Sequence, residues 1–186
     1  AYHGVEKLSY PQRNETASAG IKIPFAEAVE TCREVFYSVK PEYGEFFDAT
    51  LKNGQIDVFP KPGKSGGAFM SSTPGHPINV FLNHTSDYSS MTTLAHEMGH
   101  AVHSFVSYQN QTPMYQDYSI IVAETASTLF EGLVFESLYK KATAENKVKL
   151  LHDKIMRDIA TVQRQIAFFN CELEIHNTIE KNGAMS

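Results

Sequence analysis

Two histidines and a glutamate packed into five residues, His96-Glu97-Met98-Gly99-His100, are the part of this sequence best suited to chemistry. Residues i and i+4 of an α-helix lie about 40° apart around the axis, so His96 and His100 project toward one point and can share one metal ion. Glu97, one step round the helix, is badly placed to join them as a ligand. Its carboxylate can instead reach a water held in the metal's open position and act as general base. The competing reading is an ordinary amphipathic helix with two surface histidines.

A hydrolytic zinc site takes three protein ligands and leaves the fourth position to water. The class that continues Gly-x-x-His after the second histidine is excluded, because the chain has His103 and Val106 where that pattern needs glycine and histidine. A carboxylate on a second helix is the other common solution. Glu124 is the only charge in the run from Ile120 to Phe130. A lone carboxylate buried among such side chains costs several kcal/mol unless something compensates it. A zinc ion would do so, and so would an ion pair with a distant arginine or lysine. Asp117 is a weaker candidate, since Tyr115, Gln116 and Tyr118 read as the polar end of a loop.

These residues need elements to position them. The motif lies on a helix over 86–108, with Asp87, Ser89 and Ser90 as possible N-caps and Leu94, Ala95, Met98, Ala101, Val102 and Phe105 recurring at helical spacing. Gly99 inside it costs about 1 kcal/mol relative to alanine, which points to a close approach to the backbone. Glu124 belongs to a helix over 118–141. Upstream, 61–85 reads as a β-hairpin: Ala68-Phe69-Met70-Ser71 and Ile78 to Asn83, joined by Thr73-Pro74-Gly75-His76-Pro77. His76 and His84 are expected to be exposed loop residues. Residues 24–60 read as two helices, Pro24 to Lys40 with Ala26, Val29, Val35 and Phe36 apolar, then Pro41 to Leu51 ended by Asn53-Gly54. A long helix over 146–182 carries Val148, Leu151, Ile155, Ile159, Val162, Ile166, Phe169 and Leu173 at near-heptad steps, expected to be a core face. Residues 1–23 read as an irregular leading segment. The expected fold is mainly α with a small antiparallel sheet, in one domain over 1–186.

The stretches Thr93 to His103, Ala123-Glu124-Thr125-Ala126-Ser127 ending at Glu131, and Lys64-Ser65-Gly66-Gly67-Ala68-Phe69 resemble the thimet oligopeptidase and oligoendopeptidase F group of zinc metallopeptidases. The likeness runs from about Pro24 onward and is nearest the oligoendopeptidase F branch. It implies an HExxH zincin core of the gluzincin type, one zinc ion held by His96, His100 and Glu124, and Glu97 as the base that activates water. It also implies that a short peptide adds to an edge strand of the hairpin. Glu131, two turns beyond Glu124 on the same face, is the first choice to receive the other N–H of a zinc histidine, with a plain surface glutamate as the alternative. His103 reads as a hydrogen-bonded packing residue, since a fourth protein ligand would displace the water. Members of the group are several hundred residues long. The resemblance therefore implies a central piece of a catalytic region, with the tyrosine and histidine that stabilise the oxyanion lying beyond Ser186. Weak cleavage by the piece alone and self-association through exposed apolar faces are the expectations that follow.

Composition sets outer bounds. The 186 residues are 42% hydrophobic, enough for a core, and carry a formal net charge of −5 with no basic stripe, which argues against nucleic acid. Cys32 and Cys171 have no metal or disulfide spacing, so a reducing, cytoplasmic setting is expected. No apolar run approaches the roughly 20 residues needed to span a bilayer. A zinc ion that merely staples helices together is the non-enzymatic alternative. Glu97 argues against it, because a structural site would supply a fourth ligand instead of a base.

Overall fold

The computed structural model describes residues 16–18 and 20–183, which divide into two compact units. One unit ends at Thr143; the other joins the residues up to Ser18 to the chain from Ala144. Both are mainly helical.

The first unit opens with α1 (Phe25–Val39) and α2 (Pro41–Lys52). Pro24 stands just before α1 and Pro41 at the first turn of α2, where a missing N–H is no loss. The buried face of α1 is Ala28, Cys32, Val35 and Phe36, so Ala26 and Val29 of the expected stripe lie off it. Phe36 stacks on Phe47 of α2 at 5.3 Å and meets Phe130 at 4.3 Å. Those three rings tie the first two helices to the last helix of the unit.

The antiparallel hairpin expected over 61–85 forms, and a further strand beside it makes the sheet mixed. Strands β1 (Ile56–Asp57), β2 (Phe69–Ser71) and β3 (Asn79–Phe81) lie in the order β1-β3-β2, with β1 parallel and β2 antiparallel to β3. β1 lies just past Asn53-Gly54, where the second of the two helices expected over 24–60 ends, and two residues are too few to show an alternation. Its loop is pinned by Lys64, whose Nζ donates to the carbonyls of Asp57 at 3.1 Å and Phe59 at 2.9 Å. The glycine-rich turn before β2 is held by Asn83 Nδ2, which donates to the carbonyls of Ser65 and Gly67, each at 2.9 Å. His84 follows β3 and is buried at 3% exposure, edge-to-face with Phe25 at 5.3 Å, contrary to the expectation of an exposed loop histidine.

Helix α3 (Tyr88–Asn110) starts at Asp87, whose Oδ1 accepts the Ser90 N–H at 2.8 Å. Leu94, Ala95, Met98, Ala101 and Val102 are all buried, and Phe105 stacks on Phe46 at 4.4 Å. Helix α4 (Ile120–Lys141) packs along α3. Gly99 is the reason the two can approach: a Cβ there would sit 2.7 Å from the Ser127 Cα and 2.9 Å from the Ala126 carbonyl oxygen.

In the second unit the expected long helix is three segments: α5 (Ala144–Ile159), a π-helical turn over Ala160–Arg164, and α6 (Gln165–Asn182). The apolar stripe from Val148 to Leu173 is exposed, not a core face. No helix among the described residues is long and apolar enough to cross a membrane. Asp153 of α5 is buried and accepts the backbone N–H groups of Ala17 and Ser18, both at 2.8 Å, together with the Ser18 hydroxyl. Burial alone would raise its carboxyl, but the hydroxyl and amide of Ser18, the Ala17 amide and His152 outweigh it, and the net shift is downward. A depressed folded-state value stabilises above the unfolded value of about 3.9 and is lost as pH falls through the folded one. Hydrogen-exchange protection at the Ala17 and Ser18 amides is therefore expected to hold down to about pH 4 and to fall below it. Protection that stayed constant to about pH 2 would contradict this.

Candidate metal centre

His96 and His100 leave α3 on one face, and the α3–α4 contact at Gly99 brings Glu124 opposite them. The Nε2 atoms of the two histidines are 3.2 Å apart, and Glu124 Oε2 lies 3.4 Å from the first and 3.7 Å from the second. Ligand atoms about 2.1 Å from a tetrahedral ion are about 3.4 Å apart, so these three positions match one face of such a polyhedron. Two imidazoles and a carboxylate are also a donor set that suits zinc. The residues present can hold the ion.

Glu124 reaches this place for a different reason from the one its sequence suggests. Its side chain is 49% exposed, and Ile120, Ile121 and Val122 beside it are exposed as well. It is not a lone buried carboxylate. What fixes it is Ser127, fully buried one turn later, whose hydroxyl donates to Glu124 Oε2 at 2.7 Å. The spacing Glu-x-x-Ser, with serine one turn after a ligand candidate, is the sequence signal that identifies this partner. Removing the hydroxyl in Ser127→Ala is expected to weaken zinc binding roughly 10- to 100-fold, as read by competition with a chromogenic chelator. An unchanged affinity would show that packing alone orients Glu124.

On the opposite side of His96, Nδ1 lies 3.3 Å from Glu131 Oε2. That contact is the largest influence on His96 and, against the effect of burial, raises its pKa. His100 is shifted down, first by burial. His103 stands outside the donor group and stacks on the Tyr118 ring at 3.8 Å, and its buried Nδ1 has no hydrogen-bond partner among the described residues.

Glu97 is 7% exposed, and burial raises its carboxyl above the usual range, while the charge of His96 and the backbone N–H of Met70 pull the other way. The Met70 contact follows from register. Val80 donates to Gln55 beside β1, and Met70 is paired with Val80, so the backbone groups of Met70 face away from β3. β2 is thus an edge strand whose free side borders Glu97. Hydroxyls that sequence reasoning passed over continue this wall: Ser104, one turn after His100, contacts Ser72 at 3.1 Å and Tyr118 at 2.8 Å. Asp117, the weaker ligand candidate, is absent from the donor group and accepts the Tyr118 N–H at 2.9 Å.

Comparison with known proteins places this arrangement in context. The family model for peptidase family M3 matches residues 17–186. The chain is 32% identical over 164 residues to the oligopeptidase PepF of Bacillus subtilis (strain 168), covering 88% of this chain and 24% of that protein. It is 33% identical over 156 residues to the chromosomal oligoendopeptidase F of Lactococcus lactis subsp. cremoris, covering 83% and 26%. Among solved structures, a presumed peptidase of Chlamydophila abortus superposes with a TM-score of 0.76 at 27% identity, over 98% of this chain and 31% of that one. The chain spans about a quarter of the length of the curated relatives it matches.

Proposed function

The chain belongs to peptidase family M3, and on that premise we propose that it carries the metal site of a zinc-dependent endopeptidase acting on short peptides. The observation that supports this best is the meeting of His96 Nε2, His100 Nε2 and Glu124 Oε2 at separations of 3.2, 3.4 and 3.7 Å. In this reading those three residues hold one zinc ion. When bound, zinc lowers the pKa of a water toward about 7 and polarises a carbonyl.

The remaining chemistry belongs to the chain. Glu97 takes a proton from the attacking water and gives it to the departing amine, an acid–base contribution of roughly 10²- to 10⁴-fold. Its buried position beside His96 keeps bulk water from levelling its basicity. Glu131 orients His96, and Ser127 orients Glu124. An extended substrate pairs with the free side of β2 through backbone hydrogen bonds, which gives affinity with little dependence on side chains. Cys32 and Cys171 are both free thiols, consistent with a cytoplasmic setting.

The test uses the natural full-length polypeptide and an internally quenched peptide of about ten residues. A chelator is expected to abolish hydrolysis, and one molar equivalent of zinc to restore it. Hydrolysis that survives in rigorously metal-free protein would refute the proposal.

A further inference from the structure

A cavity of about 390 Å³ opens beside the proposed substrate strand. Its walls include Met70 and Ser72 from β2 and the turn after it, Ser104 from α3, and Gln116, Asp117 and Tyr118 from the loop before α4. Met70 lies on β2, which packs against α3, the helix that carries Glu97 and Ser104, so the cavity continues the same groove. Ser104 lies four residues past His100, about 6 Å along the helix axis, the length of about two residues of an extended peptide. A substrate lying on β2 would place a side chain here within about two residues of the bond being cut.

The lining is unevenly matched for hydrogen bonding. Asp117 is its one charged residue, exposed, and among the described residues only its Oδ1 is engaged, by the Tyr118 N–H. Gln116, at 9% exposure, uses its amide N–H groups on the carbonyls of Tyr108 at 3.3 Å and Gln111 at 3.2 Å. Its Oε1 is left with no partner among the described residues. The hydroxyls of Ser72, Ser104 and Tyr118 form a chain that consumes two of their three hydrogens internally. The unused capacity is therefore mostly acceptor, alongside one negative charge. An arginine or lysine side chain supplies donors and positive charge together.

We infer that this cavity is a side-chain subsite that selects a basic residue of the peptide substrate, with Asp117 as the residue that sets the preference. The inference rests on the peptidase reading above and adds a substrate class to it. A neutral or acidic side chain leaves the Asp117 carboxylate unpaired or repelled, which is what turns a contact into discrimination.

The experiment uses the zinc-loaded full-length protein and quenched peptides that differ only at one position, carrying lysine, arginine, norleucine or glutamate. That position is scanned through three residues on each side of the cleaved bond. At one of them kcat/KM is expected to favour lysine and arginine over norleucine by at least tenfold, with glutamate poorest. Asp117→Asn, which keeps the oxygen that receives the Tyr118 N–H, is expected to bring that ratio close to unity. Asp117→Lys is expected to reverse the order of lysine and glutamate. Cleavage with no basic preference at any position, or a preference that persists in Asp117→Asn, overturns the subsite while leaving the peptidase reading intact. Failure to cleave any peptide overturns both.

Discussion

Replacing Glu97 by glutamine is expected to lower peptide hydrolysis by about 10²- to 10⁴-fold while the protein keeps its zinc. The carboxamide has the size and shape of the carboxylate and cannot accept a proton, so the variant separates binding from chemistry. Glu97 is a neighbour of the donor group and not part of it, which is why metal content is expected to stay near one ion per chain. Measured together, metal-to-protein ratio and kcat/KM give an unambiguous pattern. Zinc retained with turnover lost fits a base, zinc lost fits a ligand, and unchanged turnover removes Glu97 from the mechanism.

The opposite pattern is expected for Glu124→Ala. Binding energy of about 10–16 kcal/mol divided among four ligands of a structural zinc site is about 3 kcal/mol each, so losing one of three is expected to weaken zinc binding on the order of a hundredfold to a thousandfold. Hydrolysis then falls with metal occupancy, and excess zinc restores part of it. Helix α4 itself is expected to persist, because its contacts with the rest of the unit run through Ser127, Phe130 and Val134, all buried, and not through the half-exposed Glu124 side chain. Circular dichroism unchanged from wild type, alongside reduced zinc affinity, checks that separation. Tight zinc binding in Glu124→Ala would mean that another residue completes the site.

The grouping of the two histidines was legible in the sequence because it is local. His96 and His100 are set by helix periodicity alone, and the apolar residues from Leu94 to Val102 mark which face of α3 is buried. Gly99 was legible as a point of close approach, and Ser127 proves to be the backbone it meets. What was not legible depends on partners distant in the chain. β1 exists only because β3 offers Val80 and Leu82 as donors to Gln55 and Asp57. His84 is buried because Phe25, nearly sixty residues earlier, packs against it. The heptad pattern from Val148 to Leu173 specifies an apolar face but not what lies against it, and in the structure that face is exposed. Glu124 was chosen on a burial argument that its half-exposed side chain does not support. It meets the histidines because Gly99 lets α4 approach and Ser127 turns its carboxylate inward.

The claim on which the rest depends is that three side chains from two helices hold one cation and leave a coordination position to water. Anomalous diffraction at the zinc edge, from crystals of the zinc-loaded protein, measures this directly. The account predicts a single peak within about 2.0–2.2 Å of His96 Nε2, His100 Nε2 and a Glu124 carboxylate oxygen, with no fourth protein ligand. A peak elsewhere, or one at the histidines with Glu124 turned away from it, would contradict the account.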